Sequence, residues 1–173
     1  MKNQIENIFQ QLISLPLWSI GRAGSLQWFA FGNERREIML RDGKTKVVSD
    51  FALHVQGPWR IRQQNKIIVA FEDRLYPAGN DPLVDLPNFD WDQQGANQLD
   101  ERVSRFLKEN REVPLIVDRV KVEKHGDIFI SLNNSYKLEV FITNTISDEH
   151  WRFFRPYSEE KHLVFTREGF RTQ

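Results

Sequence analysis

The sequence predicts an α+β protein with two helices and mostly antiparallel β-meanders, and three observations lead to this class. Apolar residues recur at three- and four-residue steps in two separate segments, which is the spacing of one helix face. After each segment the pattern changes to alternating apolar and polar residues, which indicates half-buried strands. Because the strand candidates follow one another with short turn signals between them, antiparallel pairing is favoured over a parallel α/β sheet.

Each half of the chain is predicted to begin with a helix. The first is expected over residues 2–14, where the residues on one face are apolar: Ile5, Ile8, Phe9, Leu12 and Ile13. Pro16 should end it, because the residue before a proline disfavours helical backbone. The second is expected over residues 97–109, with Asn97 as its cap and Asp100 three residues later. Its apolar face carries Leu99, Val103, Phe106 and Leu107.

The strands are predicted from period-two alternation between turn signals such as Asp42-Gly43, His125-Gly126 and Asn133-Asn134. In the first half the candidates are 17–22, 26–31, 37–40, 46–56, 59–62 and 66–71. In the second half they are 116–123, 127–132, 137–143, 151–154 and 162–166. Each set is expected to form one antiparallel meander.

One strand-and-turn motif occurs twice and predicts an internal pseudo-twofold duplication of helix plus meander. An aromatic-x-Leu-x-Val run starts at Phe51 and again at Tyr136. A Trp-Arg pair follows each run, at Trp59 and at Trp151, and a Lys-x-apolar run comes after each pair. The repetition concerns architecture and carries no information about chemistry.

The whole chain, 1–173, is expected to form a single domain, with pseudo-repeat halves 1–75 and 96–173 joined by the loop 76–95. A chain of 173 residues is long enough to bury one substantial core. Because 40% of the residues are apolar, including 13 Phe, 5 Trp and 3 Tyr, disorder is not expected.

Charge and cysteine content narrow the function classes. The 24 Lys and Arg balance the 24 Asp and Glu, so no global field attracts nucleic acid or an anionic membrane, and neither is expected as a partner. The absence of cysteine excludes disulfides, thiolate zinc sites and thiol catalysis. A cytoplasmic location is therefore expected, and the polar residues among the first thirteen positions argue against a signal peptide.

An acidic segment before the second helix has the spacing of a calcium-binding loop. Asp90, Asp92, Gln94 and Glu101 stand at ligand positions one, three, five and twelve, with glycine at position six. Glutamine is unusual at position five, and the prolines in 82–88 prevent an incoming helix. An acidic turn at a helix amino terminus is the favoured interpretation. Calcium binding is kept as the alternative, and no other cofactor is expected.

Catalytic patterns are absent from the sequence. The histidines, His54, His125, His150 and His162, stand in different segments without the helical spacing of a zinc pair. Gly-x-Ser-x-Gly elbows, phosphate-binding glycine loops and dinucleotide fingerprints do not occur. No catalytic residue is therefore assigned.

The Trp-Arg pairs supply the candidate binding residues. Neighbours on a strand point to opposite faces, so a core Trp and a surface Arg is the favoured interpretation of both pairs. The alternative makes both arginines members of one recognition face, because Trp and Arg dominate binding hot spots. The candidate binding residues are Arg60, Arg152, His54, His150, Trp59 and Trp151.

Four sequence blocks carry a resemblance to a known group of proteins. The blocks are ALHVQGPWRI (52–61), FDWD (89–92), SLNNSYKLEVF (131–141) and EHWRFF (149–154). Together and in this order they resemble a family of small uncharacterised bacterial proteins. The resemblance implies a bacterial origin and a cytosolic setting, and it supplies no catalytic residue.

These observations lead to the hypothesis of a non-enzymatic, cytosolic protein-binding module of bacterial origin, either an interaction module or similar in class to immunity proteins. The expected partner is another protein, toxin-like or a second copy of the chain. The alternative is an enzyme or a calcium-dependent protein with a site between the two halves, near His54, Arg60, Asp90 and Asp92.

Overall fold

The computed structural model describes residues 2–32, 36–79, 89–146 and 148–173. Within these ranges the helices are α1 (Lys2–Gln10) and α2 (Gln98–Glu109), with 3-10 helices over Phe71–Leu75 and Asn133–Ser135. The strands are β1 (Pro16–Ala23), β2 (Leu26–Phe31), β3 (Arg36–Met39), β4 (Thr45–Val48), β5 (Phe51–Val55), β6 (Trp59–Gln63), β7 (Lys66–Ala70), β8 (Leu115–Val122), β9 (Ile128–Leu132), β10 (Tyr136–Val140), β11 (Trp151–Phe154), β12 (Leu163–Thr166) and β13 (Gly169–Thr172). Neither described α-helix is long and apolar enough to cross a membrane.

Eleven strands form one antiparallel sheet in the order β13-β12-β11-β5-β2-β1-β8-β9-β10-β6-β7, and β3 pairs only with β4 in a separate hairpin. The predicted α+β class is confirmed. β1 and β8 share only the register pairs Pro16↔Ile116 and Leu17↔Leu115, so this narrow seam divides the sheet. We call β13 to β1 the first sheet half and β8 to β7 the second. Their inner faces meet where the Phe29 ring of β2 lies edge-on to the Trp59 ring of β6, 5.0 Å between centroids.

The β6–β7 hairpin, from the first half of the chain, lies in the second sheet half, and β11 to β13, from the second half of the chain, lie in the first sheet half. This topology corrects the prediction of two continuous meanders. β5 does not pair with β6, although only residues 56–58 separate them; β6 pairs with β10, and β11 pairs with β5. The registers correspond, because Val55 faces Trp151 and Val140 faces Trp59. A common origin by duplication stays a prediction.

Several element boundaries differ from the predicted ones. α1 ends at Gln10, four residues early, and the predicted strand 46–56 is two strands, β4 and β5. β13 was not predicted because its short, mostly polar sequence shows too little alternation. Of the predicted connecting loop 76–95, residues 80–88 lie outside the described part of the chain.

Aromatic rings fill the core between the sheet and the helices. Phe9 of α1 stacks on Phe153 at 4.5 Å and lies edge-on to Trp151 at 5.6 Å. α2 begins at the predicted cap, where the Asn97 side chain accepts a hydrogen bond from the amide of Asp100 at 2.8 Å. Its buried face is formed by Leu99, Val103 and Phe106. Both helices therefore bury most of the predicted apolar face, except that Ile13, beyond the end of α1, is 37% exposed.

Candidate functional site

A groove lies between the β3–β4 hairpin and the outer face of the first sheet half. Its volume is about 690 Å³ and its lining is mostly apolar. We call it the hairpin groove and define it by six of its lining residues: Trp18, Trp28, Val47, His54, Phe154 and Tyr157.

Strand register determines which side chains form the floor of the hairpin groove. Trp28 of β2 faces His54 of β5, and His54 faces Arg152 of β11, so these three side chains form one row across the outer face. Gly21 of β1 faces Trp28 from the other side. A Cβ atom at Gly21 would lie 2.4 Å from the Trp28 ring, so the ring keeps its position only over glycine.

An ion pair and a stack of rings support the His54 end of the groove. The His54 ring lies edge-on to Phe154 at 4.8 Å, and Phe154 stacks on His162 at 4.5 Å. The Arg152 guanidinium donates to both carboxylate oxygens of Glu149, at 2.5 and 2.7 Å. It also lies 3.1 Å from Nδ1 of His162, which therefore accepts that hydrogen bond.

The electrostatics of this cluster leave an uncharged imidazole at the groove. Burial, and next the neighbouring Arg152 charge, lower the pKa of His54 below its ordinary 6.5. The same two causes lower the pKa of His162. Hydrogen bonds from Arg152 outweigh burial and lower the pKa of Glu149, so this carboxylate stays ionised and balances the guanidinium. The floor of the groove at neutral pH is therefore apolar and aromatic.

We expect acid to destabilise the protein from about pH 7 downward, through its histidines. Burial lowers the pKa of His54, His150 and His162, so the unfolded chain binds protons more readily than the folded one. Their stabilising contribution is complete above the unfolded pKa of about 6.5 and is lost as the pH falls through the lower folded values. Urea midpoints at pH 8.5, 7.0 and 5.5 should be flat over the first interval and fall over the second.

His150→Gln should reduce the slope between pH 7.0 and 5.5, because His150 is buried and burial alone lowers its pKa. A midpoint that rises as the pH falls from 7.0 to 5.5 would contradict the expectation. Burial opposes ionisation of Asp100 and Glu139, but arginine hydrogen bonds lower the pKa of both carboxyls. Their contribution is lost at still lower pH, so it acts in the same direction.

The structure separates the predicted binding residues into two groups. Trp59, Trp151 and His150 are buried, at 2%, 0% and 4% exposure, so the core interpretation of the tryptophans holds in this fold. Arg60, Arg152 and His54 are half-buried on outer faces.

The two arginines do not share one recognition face. β11 and β6 stand third and tenth in the order of the large sheet, so Arg152 lies on the first sheet half and Arg60 on the second. Arg60 donates to Glu139 of β10 at 2.6 Å, whereas Arg152 is held by Glu149. The proposed inter-half enzyme site is likewise not assembled from His54 and Arg60, which lie on separate outer faces.

The acidic loop before α2 is held by an arginine that the sequence analysis did not select. Nη1 of Arg22 donates to Asp92 at 3.2 Å, and Nε and Nη2 donate to the two oxygens of Asp100 at 2.8 Å each. Three carbonyl groups of residues 91–93 accept from Nη2 as well. Arg22 stands in phase with the inward Ile20 of β1, and this inward charge was the available signal.

The four residues with calcium-loop spacing have other partners or point to solvent. Asp90 accepts from the amide of Asp92 at 3.0 Å, and Glu101 accepts from the amide of Gly79 at 2.8 Å and from Arg105 at 2.5 Å. Gln94 is exposed. Over the described ranges, no three His, Asp or Glu side chains are grouped as metal ligands. The arrangement matches the acidic-turn interpretation, and calcium binding stays an untested prediction.

Sequence reasoning selected His54 but missed the other groove residues. Trp28 lies on the opposite face of β2 from the inward-facing Phe29 and Phe31. An aromatic residue at an outward-facing strand position was the available signal of the groove. The strands and the Asp42-Gly43 turn of the β3–β4 hairpin were predicted, but its position over the groove was not, because β3 and β4 pair only with each other.

Comparison with known proteins identifies no relative: no family model matches the chain, no curated protein is significantly similar in sequence, and no solved structure is significantly similar in fold.

Proposed function

We propose that this chain is a non-enzymatic protein-binding module of the immunity or interaction type, which holds an apolar segment of a partner protein in the hairpin groove. The observation that supports this function best is the outward-facing aromatic floor, with Trp28 and Phe154 on strand positions that normally face water. Contiguous exposed apolar surface on a folded protein is typical of an interaction site.

The apolar surface extends beyond the space that a small ligand would fill. A volume of about 690 Å³ lies within the usual range of ligand pockets. However, the rim also exposes Tyr157 by 60% and Val47 by 42%, and the same hairpin exposes Met39 by 79%. Since a protein partner covers both a groove and its rim, this extension favours a protein over a metabolite.

Tyr157 has the features of a binding anchor. Its backbone φ is +56°, a left-handed conformation that costs free energy in a residue other than glycine. Such strain is concentrated at functional loops, and tyrosine is enriched among interface hot spots. The ring is therefore held at the groove mouth at some cost in stability.

A bacterial, cytosolic setting belongs to the same proposal. The resemblance of four sequence blocks to a bacterial family supports the origin, and the absence of cysteine supports a reducing compartment. The partner is then a cytosolic protein with an exposed apolar segment, toxin-like or a second copy of this chain.

We expect the double variant Val47→Ser/Tyr157→Ser to lose partner capture by about tenfold or more, because it removes the two exposed apolar groups of the rim. The measurement is affinity capture from bacterial lysate with quantitative mass spectrometry. The matched control is Ile67→Ser/Val113→Ser, which removes apolar residues that are 51% and 54% exposed outside the groove.

A protein retained by wild type and control but lost from the rim variant supports the proposal. If the partner is a second copy, size-exclusion chromatography should show a dimer that the rim variant alone loses. A partner captured equally by all three proteins, or tight uptake of a metabolite with no protein partner, would defeat it.

A further inference from the structure

The outer face of the second sheet half carries two rows of side chains. Each row crosses four strands, and its members stand opposite one another on neighbouring strands. From β8 through β9 and β10 to β6, the first row is Lys121, Phe129, Glu139 and Arg60. The second row is Arg119, Ser131, Lys137 and Arg62. We call this surface the basic face and define it by its five cations: Arg60, Arg62, Arg119, Lys121 and Lys137.

The cations of the basic face outnumber its carboxylates. Glu139 accepts from both Arg60 and Arg62, at 2.6 and 2.8 Å, and Lys121 lies 2.5 Å from Glu123. Asp118, the extra residue of a β-bulge, is the carboxylate of β8, and Glu123 follows that strand directly. Five cations therefore face three carboxylates, although the chain as a whole has zero formal net charge.

Two cations of the face have no counter-ion among the residues that the structure describes. Within the described parts of the chain, Arg119 and Lys137 form no salt bridge, and both line a shallow depression of about 380 Å³. Its lining also includes the Phe129 ring, the one apolar side chain there, and Glu123, whose carboxylate is paired with Lys121. Arginine donates two parallel hydrogen bonds to a carboxylate, so Arg119 is a suitable binding site for an acidic residue.

Two cations of the basic face stand in direct register. Lys137 of β10 stands directly opposite Arg62 of β6 in the antiparallel register. Like charges at directly opposed positions destabilise a sheet. Glu139 already pairs with Arg62, so a carboxylate supplied from outside would offset the remaining positive charge of Lys137. The arrangement therefore favours an anionic partner over plain solvation.

We propose that the basic face binds acidic side chains on the surface of a protein partner. This surface lies on the other sheet half from the hairpin groove, so the inference does not depend on the function proposed for the groove. Charge complementarity identifies the occupant, because Arg119 and Lys137, which form no salt bridge within the described ranges, line a small depression whose lining residues are mostly polar.

A nucleic acid suits the same face less well. Glu139, which is 4% exposed, stays ionised because hydrogen bonds from Arg62 and Arg60 outweigh burial, and it pairs with both arginines. Among the described residues this leaves Arg119 and Lys137 as the cations of the face without a salt bridge, whereas a nucleic-acid strand is held by a continuous positive groove along its backbone. The Phe129 ring packs edge-on against Phe141 at 6.2 Å, and Arg60 covers Phe141 at 5.0 Å. Arg60 therefore covers Phe141, and Phe129 is the ring of this face that lines the depression, whereas single-strand binding stacks successive bases on several aromatic side chains.

The test is fluorescence anisotropy with a labelled glutamate decamer and a labelled thymidine decanucleotide, at about 50 and 300 mM salt. Wild type should bind the glutamate decamer at low salt, and binding should weaken at high salt. Arg119→Gln/Lys137→Gln should weaken it by about tenfold. Lys108→Gln/Arg111→Gln, an equal charge change on and after α2, should leave it unchanged.

Urea unfolding of Lys137→Gln supplies a second readout, with an unchanged or higher midpoint expected because the repulsion from Arg62 is removed. The groove variant Val47→Ser/Tyr157→Ser should keep full decamer binding, which separates this inference from the proposed function. The inference is overturned by absent decamer binding, by an equal loss in the control, by a lower Lys137→Gln midpoint, or by tighter binding of the oligonucleotide.

Discussion

Replacing Arg22 with methionine should lower the free energy of unfolding by about 3–5 kcal/mol, the cost of breaking a buried ion pair from one side. Arg22 is 4% exposed, and its guanidinium holds both oxygens of Asp100, one of Asp92 and three backbone carbonyls. Methionine supplies no donor, so the Asp100 carboxylate, with 14% of its side chain exposed, is left without its guanidinium partner. Urea denaturation at pH 7 measures the change.

The matched control is Arg102→Met. Arg102 also pairs with an aspartate, Asp73 at 3.0 Å, but 39% of its side chain is exposed. A solvent-screened pair of this kind contributes at most about 1 kcal/mol. Equal costs for Arg22→Met and Arg102→Met would show that the buried network does not anchor the loop. Adding Asp100→Asn to Arg22→Met should recover part of the loss, because it removes the unpaired charge.

The Arg22 network also shows what the sequence could not predict. Arg22 and Asp100 are 78 positions apart, and periodicity carries no information about which distant segments meet. The inward phase of Arg22 predicts a buried charge, but not its partner. The capped start of α2 was predictable, by contrast, because Asn97 and Asp100 are neighbours within one turn.

The pairing of β6 with β10 and of β5 with β11 could not be predicted for a related reason. Only residues 56–58 separate β5 from β6, so the predicted meander of the first half implies that these two strands pair. Instead the segment after each strand hydrogen-bonds to the other half of the chain. The amide of Gln56 donates to the carbonyl of His150 at 2.8 Å, and the amide of Phe141 donates to the carbonyl of Pro58 at 3.0 Å. Alternation predicted which side chains face inward, but it does not select the neighbouring strand.

The two tryptophans of the repeated motif should respond differently to the same substitution. Both are fully buried and occupy corresponding register positions, so replacement with phenylalanine removes the same volume from each. Nε1 of Trp151 donates to the carbonyl of Gly126 at 2.7 Å. For Nε1 of Trp59, which is also buried, none of the described residues supplies an acceptor. The hydrogen bond is therefore the main difference between the two sites.

Trp151→Phe should cost about 2–4 kcal/mol, because it leaves a cavity and also deprives the Gly126 carbonyl of its donor. Trp59→Phe should cost about 1–2 kcal/mol, because removing an unsatisfied buried donor offsets part of the cavity cost. Urea denaturation of the two single variants and of the double variant measures both effects. The double variant should show additive costs, since Trp151 packs on Phe9 and Phe165 whereas Trp59 packs on Phe29. A larger loss for Trp59→Phe than for Trp151→Phe would mean that the Gly126 hydrogen bond is not what distinguishes the two sites.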